Sequence, residues 1–246
     1  MVEMRELLTE GKGKKVYATD DPDTAIVYFK DEAMAFHGLK RGRILGKGEV
    51  NNAVCRHIFA LLTRHGVENH YICQLDARQS LVKRVEIIPI AVKVRNRVAG
   101  SLHGRIGLPT GTKLDAPVIE FVLKDEDLDS PLINTTHILA LKLATEEEVA
   151  SITATARKIN AILAEYLAEI NIELIDFKLE FGRIDGRIVL ADEISPDTAR
   201  FWDANTHEPL DIDRFRRDLG NVEQAYQEVL RRMMGADEAE AAESQN

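Results

Sequence analysis

Residues 175–182 read Ile-Asp-Phe-Lys-Leu-Glu-Phe-Gly, an alternation of apolar and ionisable positions. A period of two predicts a strand with one dry face and one polar face. Phe177, Leu179 and Phe181 share one side, and Asp176, Lys178 and Glu180 the other. Asp185-Gly186 supplies a turn, and residues 187–191 read as the returning strand. Pairing Ile184 with Arg187 would put Glu180 and Asp192 on opposite faces. A site shared by the two carboxylates therefore predicts a three-residue loop or a bulge.

A helical period governs other stretches. Val149, Ile152, Ala156, Ile159, Leu163, Leu167 and Ile170 form an apolar stripe over residues 146–170, and Thr145 with Glu148 fits a capping box. Val54, Ile58, Leu61 and Leu62 predict a second helix over 49–65, ended by Gly66. Residues 213–234 read as one or two helices interrupted near Gly220, and 235–246 as a flexible acidic tail. Strands are expected at 3–9, 15–18, 25–29, 79–85, 90–95 and 117–124. Residues 104–117 read as a Gly- and Pro-rich loop with short helical turns. Strands early and helices later give an α+β class.

The chain's 246 residues suffice for one large domain or two intimate lobes. A net charge of -9 argues against general affinity for nucleic acid or anionic membranes, but leaves room for a local phosphate pocket. Two cysteines, Cys55 and Cys73, lack metal-ligand spacing, and a disulfide is not expected. No stretch approaches the roughly 20 apolar residues that span a bilayer. The N-terminus lacks an apolar signal core, so the cytoplasm is the expected compartment.

A hairpin gathering Asp176, Lys178, Glu180 and Asp192 has the chemistry of a metal-phosphate site, because Mg²⁺ takes one or two carboxylates plus substrate phosphates. A solvated strand face accounts for the pattern equally well. Gly11-Lys12-Gly13-Lys14-Lys15 lies between two expected strands. Its glycines would let backbone amides approach a phosphate, although a plain hairpin turn with solvated lysines also fits. Arg95, Arg97 and Ser101 offer donors for phosphate or carboxylate, with Gly100 permitting close approach. Arg200 and Trp202 could close over the same ligand, but a core anchor is the simpler reading of the single tryptophan. No HExxH pattern, serine elbow, His-Arg-Asp loop or Asp-Phe-Gly segment is present, which disfavours covalent hydrolysis and a protein kinase.

Together these blocks resemble the SAICAR synthetase family (phosphoribosylaminoimidazole-succinocarboxamide synthases). The segments at 175–182 and 95–101 look like its two hallmarks. Gly11 to Lys14, Lys47-Gly48 with Val50-Asn51-Asn52, Asp192-Glu193 with Ser195-Pro196-Asp197, Arg200-Phe201-Trp202 and Asp213 to Arg216 follow in the same order. The resemblance implies an ATP-dependent ligase of purine synthesis. It would join the carboxylate of 5-amino-1-(5-phospho-D-ribosyl)imidazole-4-carboxylate to the amine of L-aspartate, giving SAICAR, ADP and phosphate, through an acyl phosphate. It implies a kinase- or ATP-grasp-like antiparallel nucleotide lobe at 1–86, a substrate and metal lobe at 87–234, and an ATP site in the cleft between them. Gly11, Lys12, Gly13, Lys14 and Lys83 would bind the nucleotide, and Glu180 and Asp192 would hold Mg²⁺ and the nucleotide. Arg95, Ser101, Asp197 and Arg200 would bind substrate, with Lys178 beside the two carboxylates in catalysis. The Lys47-Gly48 region and the 101–105 loop are candidates for the aspartate pocket. The expected partners are these small molecules and further copies of the chain, since exposed sheet edges pair. The chain departs from the family pattern at Ala91, Asp129-Ser130 and Thr135, and around Phe36-His37. These changes remove candidate carboxylates for a second metal.

Overall fold

The structure, a computed structural model, describes residues 2–35 and 38–243, the stretch 236–243 by backbone alone. The Phe36-His37 position lies outside the described residues.

The first lobe opens with β1 (Met4–Glu10), β2 (Lys14–Thr19) and β3 (Thr24–Phe29). A short hairpin, β4 (Glu32–Ala35) and β5 (Lys40–Arg43), precedes α1 (Lys47–Arg64), β6 (Tyr71–Gln74) and β7 (Gln79–Lys83). The antiparallel sheet runs β1-β2-β3-β7-β6. Val54, Ile58 and Leu62 of α1 meet Ala25, Val27 and Phe29 of β3 in the core. The small hairpin was not evident in the sequence. Its Ala33 packs with Ile44 and Ile212, and Gly42 lies flat against Phe215.

The second lobe contains β8 (Glu86–Arg97), α2 (Ser101–Ile106), β9 (Lys113–Leu123), β10 (Leu132–Ile133), α3 (Thr135–Ala140) and α4 (Glu146–Glu169). These lead to β11 (Ile172–Ile184), β12 (Arg187–Ala191), β13 (Ala199–Asp203), α5 (Asp213–Arg216) and α6 (Val222–Glu243). The sheet order is β10-β9-β8-β11-β12, and β13 also pairs with β11. The alternation at 175–182 is realised. Phe177, Leu179 and Phe181 pack with Val92, Val94, Ile152, Ile159 and Leu163, leaving the charged residues on the opposite face. The capping box at Thr145 forms, with Glu148 returning a bond to the Thr145 amide. Pro89 sits inside β8 because the pairing with β11 slips between Glu180 and Gly182, a bulge that spares the ladder a missing donor.

Two expectations need correction. The β11–β12 hairpin has an unbulged two-residue turn that pairs Ile184 with Arg187. Asp185 and Gly186 both have positive φ, 49° and 73°, the geometry that matches strand twist, so no third loop residue is needed. At the C-terminus, α6 continues through Gly235 to Glu243 where a tail was expected. The break between α5 and α6 falls at Gly220, with φ 69°.

Candidate active site

The register would send Asp192 away from Glu180, since Glu180 pairs with Ala191. The chain avoids that outcome by leaving the strand. Asp192 adopts φ 61°, a left-handed conformation that short polar side chains tolerate. It opens a loop, 192–198, after which β13 rejoins the same edge of β11 with Ala199 opposite Phe177. The loop closes on the strand where the Lys178 amide donates to Thr198 O at 2.9 Å. Lys178 Nζ then reaches both carboxylates, Glu180 Oε1 at 2.6 Å and Asp192 Oδ2 at 3.2 Å.

The first lobe completes this cluster. Lys14 pairs with Asp192 and, at 2.9 Å, with Glu193. Burial alone would lower the Lys14 pKa, but the Asp192 and Glu193 carboxylates hold it above the usual lysine range. Burial likewise works against an ionised Asp192, and Lys14 followed by Lys178 holds its carboxyl below the usual range. Lys14 is therefore a half-buried ion-pair partner and not the solvated turn lysine that the sequence allowed. Lys12 is exposed and pairs with Glu126 at 2.9 Å. Gly13 lies close under the Asp197 side chain: a Cβ there would stand 3.1 Å from Asp197 Oδ2, so that carboxylate would have to shift slightly, and 3.6 Å from Lys47 Nζ. Gly11 closes the turn through its amide to Lys14 O. His70 holds the other side of Asp192, its Nε2 lying 3.0 Å from the Asp192 carbonyl. Burial lowers the His70 pKa to about 4, so the ring is neutral at pH 7. Lys83 stays exposed at the end of β7, close enough to influence His70, and among the described residues joins no carboxylate of the cluster.

A second group lies along the same polar face. Arg95 is buried, and its guanidinium contacts Glu120 at 2.7 Å, Asp176 at 2.9 Å and the Ser101 hydroxyl at 3.2 Å. Arg200 contacts Asp176 at 2.9 Å and Asp213 at 2.7 Å. Arg105 and Arg216 extend the ladder at its two ends, through Glu120 and Asp213. Arginines outnumber their three carboxylates here, which leaves positive charge for a phosphate or carboxylate ligand. Asp197 is not in this group. One of its oxygens takes Lys47, and the other accepts from Tyr226 Oη at 2.6 Å. Trp202 packs against Ala99 and Ile175 as a core anchor.

Sequence reasoning gave no role to Lys124, Glu120, His70 or Tyr226, and held Glu193 and Asp213 only as members of the family blocks. Lys124 pairs with Glu180 from the end of β9. Lys124, Glu120, His70 and Tyr226 carry no local signal, because each meets its partner (Glu180, Arg95, Asp192 and Asp197 respectively) on a different element. The donors suit a magnesium nucleotide. Glu180 and Asp192 supply two hard oxygens already sharing one cation, Lys178, so a second cation with phosphates fits among them. Among the described residues, no group of three or more His, Cys, Asp or Glu could cage a metal alone. Ala91, a family departure, lies directly across from Glu180 and adds no carboxylate.

Comparison with known proteins agrees with this geometry. The SAICAR synthetase family matches residues 7–233. The chain is 56% identical over 233 residues to the phosphoribosylaminoimidazole-succinocarboxamide synthase of Coprothermobacter proteolyticus, covering 94% of this chain and 99% of that protein. It is similar to the crystal structure of the Ehrlichia chaffeensis synthase, with a TM-score of 0.91, 41% identity, and coverage of 93% and 98%. It is also similar to a type-2 SAICAR synthetase in complex with ADP, with a TM-score of 0.91, 45% identity, and coverage of 94% and 98%.

Proposed function

This chain belongs to the SAICAR synthetase family, and from that premise we propose how its cleft performs the family's reaction. The protein is an ATP-dependent enzyme of purine biosynthesis that forms SAICAR. The observation that carries the assignment to the cleft is the meeting of Lys14 from the first lobe with Lys178, Glu180 and Asp192 from the second.

A free carboxylate is a poor acyl donor. In the proposed course, an oxygen of the ribonucleotide carboxylate attacks the γ-phosphorus and ADP leaves. The amine of L-aspartate then attacks the acyl carbon, phosphate leaves with the bonding electrons, and the nitrogen loses a proton. Gly11 and Gly13 bring the turn's backbone close to the ATP phosphates. Lys12, Lys14 and Lys83 add charge, and Lys178 steadies the transferred group. Glu180 and Asp192 would hold Mg²⁺, which when bound neutralises phosphate charge. Arg95, Ser101 and Arg200 take the ribonucleotide phosphate. Asp197, spanned by Lys47 and Tyr226, positions the Gly13 turn and the adjoining substrate pocket.

We assign residues 1–86 to the ATP lobe and 87–234 to the substrate lobe. The lobes share one apolar core, which holds them against each other. The exposed Met4, Leu7 and Leu8 on the edge strand β1 support a homo-oligomer. Soluble phosphorylated substrates support a cytoplasmic setting. Among the described residues, no helix is long and apolar enough to cross a membrane. Incubation with ATP, Mg²⁺, L-aspartate and the ribonucleotide tests the assignment. ADP release should depend on both co-substrates and on Mg²⁺, and ADP formed with neither co-substrate present would defeat it.

A further inference from the structure

We propose that Lys93 receives the carboxylate that the reaction activates. The inference rests on the ligase reading above and adds a substrate-contacting residue to it. Lys93 lies on β8 between Ala91 and Arg95, on the same face as both. Its strand partners are Lys178 on β11 and Glu120 on β9. It therefore stands between the arginine ladder assigned to the ribonucleotide phosphate and the Lys178 cluster assigned to the ATP phosphates.

The cations around it are all engaged. Lys14 holds Asp192 and Glu193, Lys178 holds Glu180 and Asp192, and Lys124 holds Glu180. Arg95 holds Glu120 and Asp176, and Arg200 holds Asp176 and Asp213. Lys93 alone in this set has a side chain that makes no hydrogen bond or ion pair among the described residues. The two carboxylates that influence it are already taken. Glu120 is held by Arg95 and Arg105, and Asp176 by Arg95 and Arg200. Ala91, next along the same face, offers no acid in their place.

A half-buried ammonium without a partner is unfavourable, and burial, then Arg95, lowers the Lys93 pKa. An incoming anion would remove that penalty. The ribonucleotide brings a phosphate, which suits the arginine forks, and a carboxylate, which must lie between that phosphate and the γ-phosphoryl group. Lys93 occupies the intervening position.

The experiment compares binding of two ligands without ATP by titration calorimetry. One is the ribonucleotide and the other is the same ribonucleotide lacking its carboxylate. Wild type should prefer the carboxylated form. Lys93→Met should weaken that form about 10- to 100-fold and change the decarboxylated form by no more than about twofold. Lys93→Arg should restore much of the difference. Lys93→Gln gives the same contrast should the Met variant not fold. Equal weakening of both ligands, no weakening, or an effect confined to the KM for aspartate would overturn the inference. A wild-type protein that neither binds the ribonucleotide nor forms ADP with the full substrate set would instead sink the ligase reading, and this inference with it.

Discussion

The guanidinium of Arg200 lies where a side chain at Gly100 would stand: a Cβ there would come within 2.6 Å of an Arg200 nitrogen. Gly100 also has φ 53° and ψ -132°, a conformation open to glycine and little else. Arg200 and the turn before α2 thus fix each other. Gly100→Ala should displace Arg200, weaken ribonucleotide binding and cost about 1–3 kcal/mol of stability. Arg200→Ala should spare the fold, because Asp176 keeps Arg95 and Asp213 keeps Arg216. It should weaken the ribonucleotide about 10- to 100-fold and ATP by no more than about twofold. Calorimetry with each ligand checks this, and equal losses for both would refute the assignment of Arg200.

The contrast between what the sequence disclosed and what it hid follows from distance along the chain. The polar face of β11 was legible because Asp176, Lys178 and Glu180 alternate with Phe177, Leu179 and Phe181 in one short run. The α4 stripe was legible for the same local reason. The approach of Asp192 to Glu180 was expected for the wrong cause. Register alone forbids it, and the left-handed backbone at Asp192, which no side-chain pattern encodes, restores it. Lys14 meets Asp192 across 178 positions, so a Gly-Lys turn could not be told from a solvated hairpin. The β4–β5 hairpin was hidden because Lys40 to Arg43 has no apolar alternation, and its docking depends on Phe215 far downstream.

The two turn lysines should separate experimentally. Lys12 is exposed, so Lys12→Ala should change stability by no more than about 0.5 kcal/mol. Lys14→Ala leaves Asp192 with Lys178 but strips Glu193, which is 4% exposed, of its charged partner. A loss of about 3 kcal/mol is expected, as when one member of a buried pair is removed. Both variants should raise the KM for ATP. Urea unfolding of the two proteins side by side decides the matter, and equal stabilities would mean that Lys14 is solvated after all.

His70 gives the unliganded protein an acid-sensitive element. Its folded pKa is about 4, lowered chiefly by burial, against about 6.5 in an unfolded chain. Between those values the unfolded state binds the extra proton. The group's contribution is therefore full above pH 6.5 and is lost as pH falls toward 4. His70→Gln removes the titration. The stability difference, wild type minus variant, should shrink by about 2 kcal/mol between pH 7 and pH 5. Denaturation at both pH values without ligands measures it. A constant difference would show that His70 titrates alike in both states.

Asp192 combines a backbone role with a charge role, and two substitutions separate them. Asparagine tolerates the left-handed region, whereas alanine there is strained by about 1–2 kcal/mol. Either change leaves Lys14 with Glu193 and Lys178 with Glu180, so the fold should persist. Asp192→Asn should keep near wild-type stability and lose the Mg²⁺-dependent part of nucleotide affinity. Asp192→Ala should lose the same affinity and also be less stable. Calorimetry of ATP binding with and without Mg²⁺, paired with thermal unfolding, reads both effects. If the Asn variant still bound ATP more tightly with Mg²⁺ to the wild-type degree, the carboxylate would not hold the metal. Asp192 would then act only as an anchor for Lys14 and Lys178.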